Sequence, residues 1–279
     1  MSQFVYYFEP LKPEDVSARA LVLSLMSSTG AAEHPIGQLI NAAALFGIEA
    51  ATLRVAVTRL MKDDLLESSE RGVYAPGPKS RALTRRVQQW QHVAGRMVDW
   101  NGDWLVALVQ HLGRSDRKQL RARTRALALS GYQETDEGLW VRPANLASDL
   151  DSHRADLTEI GADESIILMR ASGMAMQGDQ NWARLWSPAD LSESYARAVE
   201  AMEQSLAHLP GLSVEAAAQE TLLIGQPVIR AINFDPLLPP ELGDQAGFLR
   251  MAEKMLDYNK TGQACWRAYY ASLEETAQD

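Results

Sequence analysis

The sequence predicts an α+β fold in three segments, and three observations carry that prediction. Residues 16–62 hold three short helical patterns followed at once by a two-strand pattern, residues 99–175 run in the order β-α-β-β-α-β, and from about residue 176 onward helical periodicity dominates. The expected domains are therefore 1–98, 99–175 and 176–279, and a chain of 279 residues is long enough for two or three of them.

In the first segment, "DVSARALVLSLMSSTG" places Val16, Ala20, Leu23 and Met26–Ser27 near helical spacing, with Gly30 as its stop. "PIGQLINAAALFG" opens with Pro35 in a first-turn position and closes at Gly47. "EAATLRVAVTRLMKDD" is the third helix, and the tight turn before it makes a helix-turn-helix. "LLESSERGVYAP" then reads as two short strands around a polar centre, Ser69–Gly72, which makes the motif a winged one. In "KSRALTRRVQQWQHVAGRM", Leu83, Val87, Trp90, Ala94 and Met97 predict an amphipathic helix with Lys79, Arg81, Arg85 and Arg86 on its polar side.

The pattern changes at Asp99. "WLVALVQ" is a buried strand, and "SDRKQLRARTRALALSG" is a basic helix starting at Ser115 or Asp116 and stopping at Gly131. "GYQETDEGLWVRP" is a hairpin through Asp136–Gly138, "ANLASDLDSHRADLTEIG" a second helix, and "ESIILMRAS" a strand. That order is the one a ferredoxin-like unit uses. The last segment is helical, with "SPADLSESYARAVEAMEQSLAHLP" stopped by Pro210–Gly211, followed by "SVEAAAQETLLIGQPVIRAI" and "GFLRMAEKMLDYNKTGQACWRAYYASLEE".

Composition excludes several classes. One cysteine, Cys265, leaves no internal disulfide and no cysteine-rich zinc site, and the five histidines have no ligand spacing, so no metal and no cofactor are expected. Gly-x-Ser-x-Gly, phosphate-binding and dinucleotide-binding glycine patterns are missing, so the chain is not read as an enzyme. Asp99 and Asp103 flank a strand start, where capping explains them better than a nuclease metal site does. The start "MSQFVYYFEPLKPED" has no cationic region followed by an apolar core, and no apolar run has membrane length, so a cytoplasmic location is expected.

The net charge of −9 is unevenly spread. Residues 1–90 carry 10 Lys/Arg against 9 Asp/Glu, residues 91–130 carry 7 against 3, and residues 131–279 carry 10 against 24. A local phosphate-binding surface is compatible with that distribution. Arg114, Arg117, Lys118, Arg121, Arg123 and Arg125 crowd one helix. They are either a solvated face, or one paired to the acidic C-terminal half of this or a partner chain, or a contact for flanking DNA or a CoA phosphate.

Advancing about 100° per residue along the third helix gathers Leu53, Ala56, Val57, Leu60 and Met61 on one side. The other side carries the small residues Ala51 and Thr52 near its start, then Arg54, Val55, Thr58, Arg59 and Lys62. Such a face suits a major groove. Small and apolar side chains allow close approach and a thymine-methyl contact, Arg54 can address guanine O6/N7, and Arg59 and Lys62 can reach phosphates. Arg71 at the hairpin tip can reach a flanking phosphate or the minor groove. The rival reading is a winged-helix protein-interaction module, in which the same face docks a protein.

"RALVLSLM", "IGQLINAAALFGIEAATLRVAVTRLMKDDLL" and Val73-Tyr74 resemble the N-terminal domain of the phenylacetic-acid degradation repressor (PaaX) family, with Arg54 and Thr58-Arg59-Leu60 matching its Arg-x3-(Ser/Thr)-Arg-Leu core. "WNGDWLVALV" at Trp100–Val109 and "GYQETDEGLWVRP" resemble the family's middle domain, and "RAINFDPLLPPEL" at Arg230–Leu242 resembles its C-terminal Arg…Asp-Pro-Leu-Leu-Pro signature. The resemblance implies a homodimeric repressor that binds a palindromic operator and is released by an aryl-CoA thioester such as phenylacetyl-CoA. For that effector, Trp182, Trp186 and Arg230 are the candidate contacts, aromatics for an aryl or adenine ring and arginine for phosphate. The wing "SSERGVY" is shorter and less basic than the family's, Asp63-Asp64-Leu65 stands where a Gly-aromatic pair is common, and "GDQAGFLRM" lacks a Trp-Pro-Gly, as in a divergent paralogue.

Overall fold

The computed structural model describes residues 6–28, 33–80, 89–173 and 181–276. It is α+β, with an N-terminal winged helix-turn-helix, a ferredoxin-like middle and a helical C-terminal region. Among the described residues no helix is long and apolar enough to cross a membrane. By packing, the chain forms two compact units. One joins Met1–Tyr7, His92–Ala196 and Arg230–Met251, and the other joins Phe8–Gln91, Arg197–Ile229 and Ala252–Asp279.

The winged unit begins with α1 (Ala18–Ser28), β1 (His34–Pro35), α2 (Ile36–Ala44) and α3 (Ala50–Lys62), followed by β2 (Leu66–Glu70) and β3 (Val73–Pro76). Pro35 sits one residue earlier than the sequence suggested, at the cap of α2 with φ −60° and ψ 144°. There its fixed extended backbone ends a two-residue strand that pairs with β3, completing the antiparallel order β1-β3-β2. Leu21, Val22 and Leu25 of α1, Leu39 of α2, and Leu53, Val57 and Leu60 of α3 form the core, all at 2% exposure or less. Each fully buried leucine contributes about 1.5–3 kcal/mol.

This core is not closed by the N-terminal helices alone. Ala218 and Leu222 come to it from α7 (Val214–Asn233), and Trp266 and Tyr269 from α8 (Gln245–Thr276). Polar contacts reinforce the junction: the Tyr269 hydroxyl donates to the Asn41 carbonyl at 3.0 Å, and the Gln219 amide donates to the Leu45 carbonyl. Pro227 lies inside α7 and has no N–H for the carbonyl four residues back, Leu223. That carbonyl instead accepts from the Leu11 N–H at 3.1 Å. A break in the helix ladder thus becomes an anchor for the N-terminal segment.

In the second unit, β4 (Trp104–Leu108), α4 (Arg117–Leu129), β5 (Gln133–Glu134), β6 (Trp140–Pro143), α5 (Leu150–Glu159) and β7 (Ile167–Ala171) follow the expected βαββαβ order. The sheet is antiparallel in the order β5-β6-β4-β7. Asp116 caps α4, accepting from the N–H groups of Lys118 and Gln119, and Asp149 caps α5 through the Ser152 N–H. One core joins Leu105 and Ala107 of β4 to Ala126 and Leu127 of α4 and Leu157 of α5. Gly131 stops α4 at φ +78°, and a Cβ there would lie 3.0 Å from the Pro236 carbonyl oxygen, so glycine is needed for both turn and contact.

The amphipathic helix expected over "KSRALTRRVQQWQHVAGRM" falls in large part on residues 81–88, outside the described residues. Its later portion, Gln89–Arg96, is a 3-10 segment interrupted at His92 (φ −120°, ψ 18°), so one continuous α-helix does not run through Trp90 and Ala94. The C-terminal helices α6 (Pro188–His208), α7 and α8 occupy the expected stretches.

Candidate nucleic-acid interface

Helix α3 is set by a short turn. The Gly47 and Ile48 N–H groups bond the carbonyls of Ala44 and Ala43 at 3.1 and 3.0 Å, and Gly47 takes φ +67°. Glu49 makes no side-chain cap, so the first amides of α3 stay available to water or an anion. With Leu53, Val57 and Leu60 buried and Ala56 and Met61 half-buried, the helix is fixed about its axis. Its outward residues are Ala51, Thr52, Arg54, Val55, Thr58, Arg59 and Lys62, all exposed as expected.

Within that face, Val55 is 50% exposed, the most exposed of the large apolar side chains among the described residues. The Thr58 hydroxyl donates to the Arg54 carbonyl at 2.9 Å, which holds it against the helix while leaving its lone pairs free to accept. Arg54, Arg59 and Lys62 have no ion pair among the described residues. The two aspartates after the helix, which argue against phosphate binding if free, are paired. Asp63 bonds Arg19 at 3.2 Å and Asp64 bonds Lys79 at 2.8 Å, both exposed pairs. Asp64 also takes φ +58°, the backbone conformation that ends α3.

The wing is a tight hairpin whose strands close to a two-residue tip, Arg71–Gly72, with Arg71 exposed. The Gly72 carbonyl accepts from the Ile36 N–H at 2.8 Å, so the tip is tied to the start of α2. A register shift between Ser68 and Glu70 turns the end of β2, and the Ser68 hydroxyl donates to the Glu70 carbonyl at 2.6 Å. At the base of the wing His34 is buried in β1, and burial lowers its pKa and keeps it neutral.

The three effector candidates occupy two places. Trp182 and Trp186 flank Trp104, edge-on at 5.5 Å and stacked at 6.0 Å, and Trp100 meets Trp104 edge-on at 5.5 Å. Trp186 is 3% exposed, and its indole N–H finds no acceptor among the described residues. Arg230 belongs to a different cluster, exposed, with its guanidinium 4.3 Å from the Tyr6 ring centre and 5.7 Å from that of Phe234.

Asp235 caps the turn of the Asp-Pro-Leu-Leu-Pro stretch, its Oδ1 accepting from the Leu237 N–H at 2.8 Å. Sequence reasoning missed the network around that turn. Asp235 Oδ2 accepts from the Tyr195 hydroxyl at 2.6 Å, and burial pushes the Asp235 carboxyl up to about 7 against the pull of its two hydrogen bonds. Arg142, 1% exposed, donates to the carbonyls of Ser130, Pro143 and Pro236 and to Asn145 Oδ1, while Asn145 donates to the Leu237 carbonyl at 2.7 Å. The Asp-Pro-Leu-Leu-Pro stretch is thus an irregular segment whose buried backbone is satisfied by side chains of the sheet. Asp103 likewise has a structural part: the Ser172 hydroxyl, Asn101 and Arg170 hold its carboxyl below the usual range. Cys265 is a half-buried free thiol, raised by burial. Among the described residues no group of His, Cys, Asp and Glu is arranged to hold a metal ion.

No protein-family model matches the chain, and no curated protein matches it. Among solved structures it is similar to the uncharacterized protein Rv0674 from Mycobacterium tuberculosis, at 25% identity and a TM-score of 0.52, over 88% of this chain and 99% of that one. The similarity covers most of this chain and nearly all of the other, so it extends to the overall fold.

Proposed function

We propose that the protein is a DNA-binding transcriptional repressor of the PaaX type, acting as a homodimer on a palindromic operator. The observation that carries this reading is the two-sidedness of α3. Its buried side locks the helix, while the outward side offers small residues, an exposed valine and three cations with no ion pair among the described residues, in the order a major groove needs. Arg54 reads a base, Arg59 and Lys62 hold phosphates, and Arg71 reaches backbone beside the groove. A two-fold dimer presents two such helices to half-sites about one helical turn, ~10 bp, apart or a multiple of that.

The sequence resemblance supplies the finer part of the proposal. The repressor controls aromatic-acid catabolism of the phenylacetate kind and is released by an aryl-CoA thioester. Effector binding favours a dimer geometry in which the two α3 helices no longer match the half-site spacing. The tryptophans around Trp104 and the exposed Arg230 are the two places where such a ligand can be sought.

The test is an electrophoretic shift with the DNA upstream of the protein's own gene, repeated with a panel of aryl-CoA thioesters. A sequence-dependent shift that one thioester reverses is expected. No binding to that DNA, or equal binding to any duplex, overturns the repressor reading. Arg54→Ala is expected to lower operator affinity by about 1–3 kcal/mol, the worth of a bidentate base contact, while leaving scrambled DNA nearly unaffected.

A further inference from the structure

Helix α4 carries a second concentration of positive charge, in the sheet-containing unit. Arg117, Lys118, Arg121 and Arg125 are all exposed and fall within a sector of about 100° at 100° per residue. Arg114 is exposed in the loop just before the helix. No carboxylate interrupts the run from Arg117 to Gln133, and among the described residues none of these five cations has an ion pair. Several of the molecule's other exposed cations do: Arg19, Lys79, Arg170 and Lys260 each meet an aspartate.

The helix's own stability does not account for this stripe. Cations are favourable at a helix C-terminus, whereas Arg117 and Lys118 occupy the first turn, where the macrodipole opposes them. Arg117, Arg121 and Arg125 also repel one another at successive i, i+4 positions. The stripe is nevertheless held firmly. On the opposite side Arg123, 3% exposed, bonds Asp163 at 3.2 Å and the Gly113 carbonyl at 3.2 Å, fixing both the helix and the loop that carries Arg114. A preorganised, self-repelling row of cations with no ion pair among the described residues calls for an external polyanion.

Resting on the α3 reading, we propose that α4 and its preceding loop form a second, sequence-independent surface that takes the phosphate backbone of duplex DNA flanking the operator. Four of the five cations are arginines, whose fork matches phosphate oxygens in pairs. From Arg117 to Arg125 the helix rises ~12 Å, which covers roughly three phosphates of one strand at 3.4 Å of duplex axis each. A protein partner fits less well. Protein interfaces centre on apolar and aromatic anchors, and the exposed large apolar residues, among them Val55, Ile167 and Met169, are not on α4.

The experiment measures the salt dependence of affinity for the full chain, on a 30-bp duplex from upstream of its gene and on a scrambled duplex. The variants are Arg117→Gln/Arg121→Gln/Arg125→Gln and the matching triple Arg→Lys, each checked for an unchanged circular-dichroism spectrum. The Gln triple is expected to flatten the log–log salt slope by about two to three units, at roughly 0.9 per phosphate contact, and to lose the same factor on both duplexes. The Lys triple is expected to keep the slope. An unchanged slope in a folded Gln triple overturns the proposal, and so does a loss confined to the operator. If that variant instead changes only the sedimentation of the protein, the stripe docks on the acidic surface of a second copy and the proposal fails. Wild-type protein that binds neither duplex sinks the α3 reading itself, a separate result.

Discussion

The two units bury different things. The winged unit is closed by aliphatic and aromatic side chains, and among its described residues no Asp, Glu, Lys or Arg is buried, the buried ionisable groups being neutral ones such as His34 and Tyr269. The sheet unit buries Arg123, Arg142 and Asp235 together with His153 and Asn145. An apolar core tolerates rearrangement as long as volume is kept. A buried polar network has directional demands, and any unmatched member carries its full desolvation cost. The sheet unit should therefore be the more brittle toward single substitutions, and its interior pH response should come from a carboxylate, where that of the winged unit comes from His34. Because the units can respond separately, hydrogen exchange resolved by segment is the suitable measurement.

The largest effect is expected at Arg142. Replacing it with alanine leaves carbonyls of Ser130 and Pro236 and the Asn145 amide without their donor and opens a cavity. A loss of about 3–5 kcal/mol is expected in the protection of β4, β6 and the 235–238 segment, since each buried acceptor left without its donor costs about 1–3 kcal/mol. A loss under about 1 kcal/mol would show that the network does not organise the unit. Leu53→Ala is the counterpart in the winged unit. Removing a wholly buried leucine should cost about 2–5 kcal/mol across α1–α3, with the lower half of that range expected because neighbouring aliphatics can close in.

The pH response sharpens the contrast further. Burial raises the folded-state pKa of Asp235 to about 7, above its ordinary value of 3.8. The folded state therefore binds more protons than the unfolded state between those values, and stability falls as pH rises from about 4 to about 7, then levels. Asp235→Asn retains an acceptor for the Leu237 N–H and cannot ionise, so the sheet unit of that variant should lose this slope. The winged unit should show the same pH profile in both proteins. A wild-type slope unchanged by the substitution would mean that another group titrates.

Much of this contrast was legible in the chain, and the rest was hidden for definite reasons. The short apolar runs in "WLVALVQ" and "ESIILMRAS", with Asp116 and Gly131 bounding the helix between, pointed to the βαββαβ order, because local turn and cap chemistry agreed with the final packing. The buried face of α3 followed from helical periodicity alone. Ala218, Leu222, Trp266 and Tyr269 were invisible as parts of the winged core because their partners lie more than 150 residues away. Arg123 looked like one more member of a cationic run. Yet the helical wheel sets it roughly 190° from the mean direction of the other four α4 cations, a signal of burial that was present in the sequence. The partnership of Arg142 with the Asp-Pro-Leu-Leu-Pro backbone had no local sign, since irregular segments have no periodicity to read.

The smallest effect concerns the outward side of α3, where the two units' charges are used differently from their interiors. Arg59 lies in the last turn of α3, where a cation also favours the helix dipole, and it is exposed with no ion pair among the described residues. Its substitution by alanine should leave folding nearly intact, because an exposed charge of this kind contributes only tenths of a kcal/mol to the helix. If Arg59 holds a phosphate, the variant should bind operator and scrambled duplex more weakly by one common factor, with the salt slope flatter by about one unit. Arg54→Ala, four residues apart from Thr58 on the same face, should instead separate operator from scrambled DNA and change the slope little. Finding the two variants interchangeable would mean that α3 holds the backbone without reading the bases. An Arg59 effect confined to one base position would exchange the two roles.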